Sequence, residues 1–134
     1  GLGAVHGLAG PIGAFFEAPH GAVCAALLAP ITQANLTALA NLAAESTPVA
    51  QHTLHKYGQV GQLFNPQAST QAEQLSSLIA GLAKLAEPLQ GLATYGLTPH
   101  NLDPVIQNCR AGSMLGNPVI LTDSALYNAI LQAL

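Results

Sequence analysis

The chain has 134 residues, of which 50% are hydrophobic and only 7% are charged, and its formal net charge is −3. Typical globular domains have about 25% charged residues, so this surface is short of charge. Three Lys and Arg residues in total exclude the basic surface that nucleic-acid binding requires, and so small a net charge indicates no electrostatic partner.

The first predicted element is a glycine-rich apolar helix over residues 1–17. Gly3, Gly7 and Gly10 are spaced by four and three residues, so they share one helix face, where another backbone can approach closely. Pro11 is expected to kink this helix, because its ring clashes with the carbonyl oxygen of Gly7.

A second helix is predicted over residues 20–44, with Pro19 at its start and a kink at Pro30. It contains the longest apolar run of the chain, from Ala22 to Ile31. That run is about half of the roughly 20 residues that a membrane-spanning helix needs. The sequence therefore predicts no membrane partner.

Capping residues, prolines and glycines predict the later elements. We expect helices from Thr47-Pro48 to Asn65-Pro66, from a capping box of Thr70 and Glu73 to Pro88, from Asp103-Pro104 through Cys109, and from Thr122 or Asp123 to Leu134, with a turn at Gly96.

These elements predict an all-α fold, an irregular bundle of five to seven helices that forms a single domain over residues 1–134. No strand-like alternation persists, and no segment of 20–50 residues repeats. The chain begins at Gly1 within an apolar pattern, without Met or a helix-start signal, from which we expect an N-terminally truncated domain. The low charge agrees with a surface that a missing segment covers.

The two cysteines, Cys24 and Cys109, have neither CxxC nor zinc-ribbon spacing. Both are interpreted as small hydrophobic residues with free thiols rather than as a disulfide. Reduced thiols are usual in the cytoplasm, so we expect a cytoplasmic protein.

His6 and His20 are the candidate metal ligands. The short turn between the first two helices predicts a hairpin with one imidazole on each arm, and imidazole nitrogen suits iron and zinc. Spacing alone is a weak signal, since a helix histidine is more often a packed or surface residue. Two imidazoles also do not complete a catalytic site, which usually has three protein ligands and an open position.

The other polar residues give weaker signals. His52 and His55 lie three apart on one helix face and could chelate a metal, but a solvated polar face is the preferred interpretation. His100 is expected at the surface, and Glu17 is expected as an exposed turn carboxylate rather than a ligand. No GxSxG, HExxH or Walker motif is present, so no catalytic residue is predicted.

The start of the chain resembles the second signature of the iron-containing (group III) alcohol dehydrogenases. It reads GLGAVHGLAGPIGAFFEAPHGAVCAALLAP, with His6 and His20 at two metal-ligand positions 14 residues apart and Pro19 and Gly21 around the second. The tail is similar to that of a subgroup that includes relatives of maleylacetate reductase, through Tyr95-Gly96, Ser113-Met114-Leu115-Gly116-Asn117-Pro118 and Leu121-Thr122.

The resemblance implies the C-terminal domain of a dehydroquinate synthase-like, iron alcohol dehydrogenase fold. In that family it follows a Rossmann-like domain that binds NAD or NADP. Fe²⁺, or Zn²⁺ in some members, is held by one Asp and three His, and the Asp and the first His would lie upstream of Gly1. The metal would act as a Lewis acid on the oxygen of an alcohol, aldehyde or ketone during hydride transfer, with His6 and His20 as ligands. For the isolated chain we expect weak or no metal binding and no dehydrogenase activity.

One position departs from a common pattern of the family. Many members have another histidine four residues after the first of these ligands, often assigned to proton transfer, where this chain has Gly10. The substrate, the proton relay, the choice of NAD or NADP and a homo-oligomer are left open. Two alternatives are a non-enzymatic helical module that binds a protein partner, and a zinc glycerol dehydrogenase or dehydroquinate synthase-like relative.

Overall fold

The computed structural model describes residues 2–44 and 47–134. Within these ranges it contains six α-helices and two 3₁₀ segments and no strand, which confirms the predicted all-α bundle. The α-helices are α1 (Gly3–Phe16), α2 (His20–Ala44), α3 (Pro48–Phe64), α4 (Gln71–Ala86), α5 (Asp103–Asn108) and α6 (Asp123–Gln132), and the 3₁₀ segments are Leu92–Tyr95 and Gly112–Gly116. Gly1, where the first helix was expected to begin, lies outside the described residues.

Helix α2 is the centre of the bundle. It packs against α1, α3, α4 and α6, and its fully buried side chains include Val23, Leu27 and Ile31. By length and composition alone α2 could also cross a membrane, although its longest uninterrupted apolar run is short. Its buried side chains and its four helical neighbours are the features of a core helix.

The core has two parts, and α2 contributes side chains to both. The larger joins α1, α2, α5 and α6 with the segments between them, and its largest side chains are Leu8, Ile12, Leu27, Ile31, Leu92, Leu97, Leu102, Leu126 and Ile130. The smaller contains Leu36, Leu39, Ala50 and Leu54, where α2 meets α3. The α1–α2 pair is thus held by the larger core.

Most predicted boundaries agree with the structure, and the capping box is complete. The Thr70 hydroxyl accepts from the Glu73 amide, and the Glu73 carboxylate accepts from the Thr70 amide. Thr122 caps α6 through the Ala125 amide, at 3.1 Å. Thr47 occupies the predicted N-cap position of α3, although its side chain forms no capping hydrogen bond. The following proline, whose fixed φ suits the first helical position, favours this helix start.

The expected close approach at the glycine face of α1 occurs at two of its three positions. A Cβ at Gly7 would lie 2.9 Å from the Met114 Cβ, and a Cβ at Gly3 would lie 3.1 Å from the Asn117 Oδ1. The prediction of a close approach is wrong at Gly10, because a Cβ there would meet no atom within 4 Å. The segment Gly112–Gly116 packs along only the first half of α1.

A buried amide pair fixes the start of α1 against α2. Asn35, which is 4% exposed, accepts a 2.7 Å hydrogen bond from the Asn117 side-chain amide. The Asn117 Oδ1 accepts from the Ala4 amide at 3.0 Å, and the Asn117 side-chain amide also donates to the Val119 carbonyl at 2.7 Å. One side chain therefore links α1, α2 and the chain before α6.

Candidate metal centre

The α1–α2 hairpin brings the two candidate histidines to one place. Helix α1 ends at Phe16, where Glu17 takes the left-handed conformation (φ 52°) that commonly terminates a helix, and α2 begins at His20. The connection is therefore short enough for the two helices to fold back on one another. His6 lies on the first arm, and His20 opens the second.

The imidazole rings of His6 and His20 are neighbours. Their centroids lie 5.2 Å apart, and their planes are inclined by 57°. His6 is half-buried and His20 is exposed, so the pair lies at the surface of the bundle rather than in its core. A ligand can therefore reach both rings from solvent or from an adjoining domain.

A third donor, the thiol of Cys24, lies beside the histidines. Its Sγ is 3.4 Å from the His20 Nε2, and no two of the three donor atoms are more than 4.8 Å apart. Cys24 is half-buried and follows His20 by one helical turn. As predicted, Cys24 is a free thiol that packs against the hydrophobic core, and its position four residues after His20 places its sulfur beside that ring.

These residues fit a divalent transition metal. Tetrahedral zinc has bonds of about 2.0–2.1 Å to histidine nitrogen and about 2.3 Å to cysteine sulfur, which places its donor atoms about 3.3–3.7 Å apart. The separation of Cys24 from His20 already falls in that range. The 4.8 Å upper bound for the cluster requires a contraction of at most about 1.5 Å, which side-chain rotation about the exposed end of α2 can supply.

The surroundings of Cys24 disfavour ionisation of its thiol. Burial raises the pKa of Cys24 above its ordinary value of 9.0, since the surroundings disfavour the thiolate. A divalent cation reverses this preference, because a coordinating thiol loses its proton. Cys109 is buried at 1% exposure, and both cysteines are free.

The remaining candidate residues lie outside this cluster. The cluster of donor atoms found among the described residues does not include Glu17, His52, His55 or His100. All four are exposed, with Glu17 in the hairpin turn, the histidine pair on α3 and the last in the turn that follows Gly96. The structure thus gathers only the first two of the five histidines around a shared point.

A separate cavity of about 450 Å³ lies between α2, α4 and the end of α6. Alanines and glutamines supply most of its lining, and its single charged residue is Glu87. It contains neither of the paired histidines, so it offers no second arrangement of metal ligands.

Comparison with known proteins identifies the family. A family model for the C-terminal part of the Fe-containing alcohol dehydrogenase family matches residues 1–134. The fold is similar to the crystal structure of a 1,3-propanediol oxidoreductase, with a TM-score of 0.80 at 20% sequence identity, over 98% of this chain and 32% of that one. This chain thus spans about a third of that protein's length, and a comparison with curated proteins found no match. Because the family model covers the whole sequence, this chain belongs to the Fe-containing alcohol dehydrogenase family and corresponds to its C-terminal domain.

Proposed function

We propose that this chain is the metal-holding domain of an NAD(P)-dependent alcohol dehydrogenase, and that His6 and His20 are two of the ligands. The observation that carries the proposal is the meeting of these two rings, 5.2 Å apart, in a chain that belongs to this family. Fe²⁺, or Zn²⁺ in its place, is the metal that such nitrogen donors accept.

The remaining ligands and the nucleotide site are assigned to the part of the protein that precedes this chain. The resemblance implies that an Asp and a further His lie upstream of Gly1 in the same helical domain, and that a Rossmann-like domain that binds NAD or NADP comes before them. Two observations support this arrangement: the solved relative is about three times as long, and the histidine pair lies at the surface, where another domain can approach. In this proposal residues 1–134 form one helical domain of a larger cytoplasmic enzyme.

In this proposal the chain's residues hold the metal ion and keep its ligands in position. When bound, a divalent metal supplies Lewis-acid polarisation of a substrate oxygen, which assists hydride transfer to or from the nicotinamide. His6 and His20 act as ligands and are therefore unavailable as acid–base groups. At Gly3 and Gly7 the helix that carries His6 lies close against Asn117 and Met114, which supports its position.

The proton-transfer group is not assigned to α1 of this chain. Gly10 lies one helical turn after His6 and carries no side chain, and it is exposed with open space around it. A bound substrate or a group from the preceding domain would occupy this space. We therefore propose that solvent or residues outside α1 transfer the proton.

An activity assay tests the proposal. We expect the protein with its nucleotide-binding domain to oxidise alcohols, among them 1,3-propanediol, with NAD or NADP as the acceptor. His20→Ala should lower kcat/KM by more than about 100-fold, because loss of a ligand should exceed the effect of losing a residue that supports one. His52→Ala, an exposed control on α3, should leave the rate unchanged.

Two outcomes would contradict the proposal. One is full dehydrogenase activity in the His20→Ala variant. The other is NAD(P)-dependent alcohol oxidation by residues 1–134 without any added domain, because the described helices offer no predicted nucleotide site.

A further inference from the structure

We propose that a cleft beside the start of α1 binds the polypeptide segment that immediately precedes Gly1. The inference rests on the proposed function, in which more of the enzyme lies upstream of this chain. It goes further by naming the surface of this chain that the upstream segment covers. The cleft is separate from the metal centre, because Leu28 on its border lies two turns, or about 12 Å along α2, after His20.

The cleft has a volume of about 250 Å³. Three helices and the chain that follows the segment Gly112–Gly116 surround it, and the residues that matter here are Leu2, Leu28, Thr32, Asn35, Tyr57 and Asn117. Cavities that bind a small molecule usually measure about 300–1,000 Å³, so this cleft is small for a substrate or a nucleotide. A short length of polypeptide is the better match for its size.

Polar groups inside the cleft suit a polypeptide backbone. Thr32 and Asn35 are the two buried polar residues in the described part of the chain, and both line this cleft. The half-buried Tyr57 hydroxyl accepts a hydrogen bond from the Asn35 side-chain amide at 3.4 Å, and a phenol that accepts can still donate its own proton. The hydroxyls of Thr32 and Tyr57 can therefore bind the amide and carbonyl groups of a segment that lies in the cleft, which need such partners once they leave water.

Exposed apolar side chains border the same cleft. Leu2 is 65% exposed and Leu28 is 42% exposed. Covering them is favourable in proportion to the apolar area that is removed from water. A polypeptide segment meets both requirements at once, because its side chains can cover the two leucines while its backbone bonds to the polar groups between them.

The position of Leu2 favours the upstream segment as the occupant over a second molecule. Leu2 itself lines the cleft, and Gly3 follows in the left-handed conformation (φ 74°) at the start of α1. Consecutive Cα atoms are 3.8 Å apart, so residues shortly before Leu2 are held within reach of the cleft, and their effective concentration there is high. The solved relative is about three times as long as this chain, which leaves ample chain to supply the segment.

Thiol labelling of the intact protein, with its upstream part present, tests the proposal. Both native cysteines are replaced by alanine, and one cysteine is introduced at Leu28 or at Leu42, a control on the same helix with a similar exposure of 38%. We expect a maleimide to modify Leu28→Cys at least about 10-fold more slowly than Leu42→Cys, because only the first is covered. Equal rates in variants whose circular dichroism is unchanged would overturn the proposal.

A photochemical cross-link identifies the occupant. In the intact protein Leu28 is replaced by the photoreactive residue p-benzoylphenylalanine, and the irradiated product is digested and analysed by mass spectrometry. We expect a cross-link within one chain, to a peptide that lies upstream of Gly1. A cross-link between two chains, one confined to residues 1–134, or none at all would overturn the proposal. Neither measurement uses the dehydrogenase reaction, so an inactive wild-type protein would count against the proposed function alone.

Discussion

Gly7 and Gly10 lie on the same helix and differ in what a side chain would meet. A Cβ at Gly7 would clash with Met114, whereas one at Gly10 would meet nothing. We expect Gly7→Ala to lower the free energy of unfolding by about 1–3 kcal/mol, because the Met114 backbone and side chain must move. Gly10→Ala should raise it by up to about 1 kcal/mol, since alanine is the better helix former. Urea unfolding of the two variants measures both effects, and a Gly7→Ala variant as stable as Gly10→Ala would contradict the packing described.

Single residues also show how far the sequence could predict the site. The meeting of His6 and His20 could be predicted because a long motif surrounds both and only three residues connect their helices. The proximity of Cys24 to both histidines was not predicted, because the apolar run around it gives no sign that His6 lies opposite. The sequence also could not distinguish Gly7, which is closely packed, from Gly10, which is not, because that difference depends on the position of Met114.

At the level of elements, the amide pair determines how α1 meets α2. Asn117→Ala would leave the Asn35 Oδ1 and the Ala4 amide without their partner. We expect a loss of about 1–3 kcal/mol in the free energy of unfolding, which is the cost of an unsatisfied buried polar group. Asn128→Ala on the exposed face of α6 should change stability by less than about 0.5 kcal/mol. Equal effects of the two substitutions in thermal unfolding would show that the network does not hold the hairpin.

The capping box of α4 makes a prediction about pH. Hydrogen bonds from the Thr70 amide, the Ser69 amide and the Ser69 hydroxyl lower the pKa of Glu73 below its ordinary value of 4.5. Its stabilising contribution is therefore fully present above pH 4.5 and is lost as the pH falls through the lower, folded-state pKa. In Glu73→Gln this dependence should be absent, because glutamine caps without titrating. A stability difference between the two proteins that does not change with acidification would contradict this assignment.

Helix ends were easier to predict than the segments that connect them. Thr70 and Glu73 specify a helix start by local chemistry, so the sequence is sufficient there. Thr47 fills a capping position without a capping hydrogen bond. The 3₁₀ segment Gly112–Gly116 was not predicted, because it is shaped by packing against α1, far away in the sequence. Local signals therefore determined the helices, and long-range contacts determined their arrangement.

For the molecule as a whole, the proposed enzyme depends on a metal site that this chain would complete together with ligands upstream of Gly1. The chain spans about a third of its solved relative, and its paired histidines face outward. The bound ion would hold the upstream ligands and this hairpin together. Its loss should therefore lower both activity and the unfolding temperature of the intact protein.

The central claim is that His6 and His20 bind one metal ion together. Elemental analysis of the intact protein should find about one iron or zinc per chain in the wild type and in His55→Ala, an exposed control. In His6→Ala and in His20→Ala the metal content should fall to a small fraction of that value. Full metal content in both of these variants would show that the hairpin does not hold the ion.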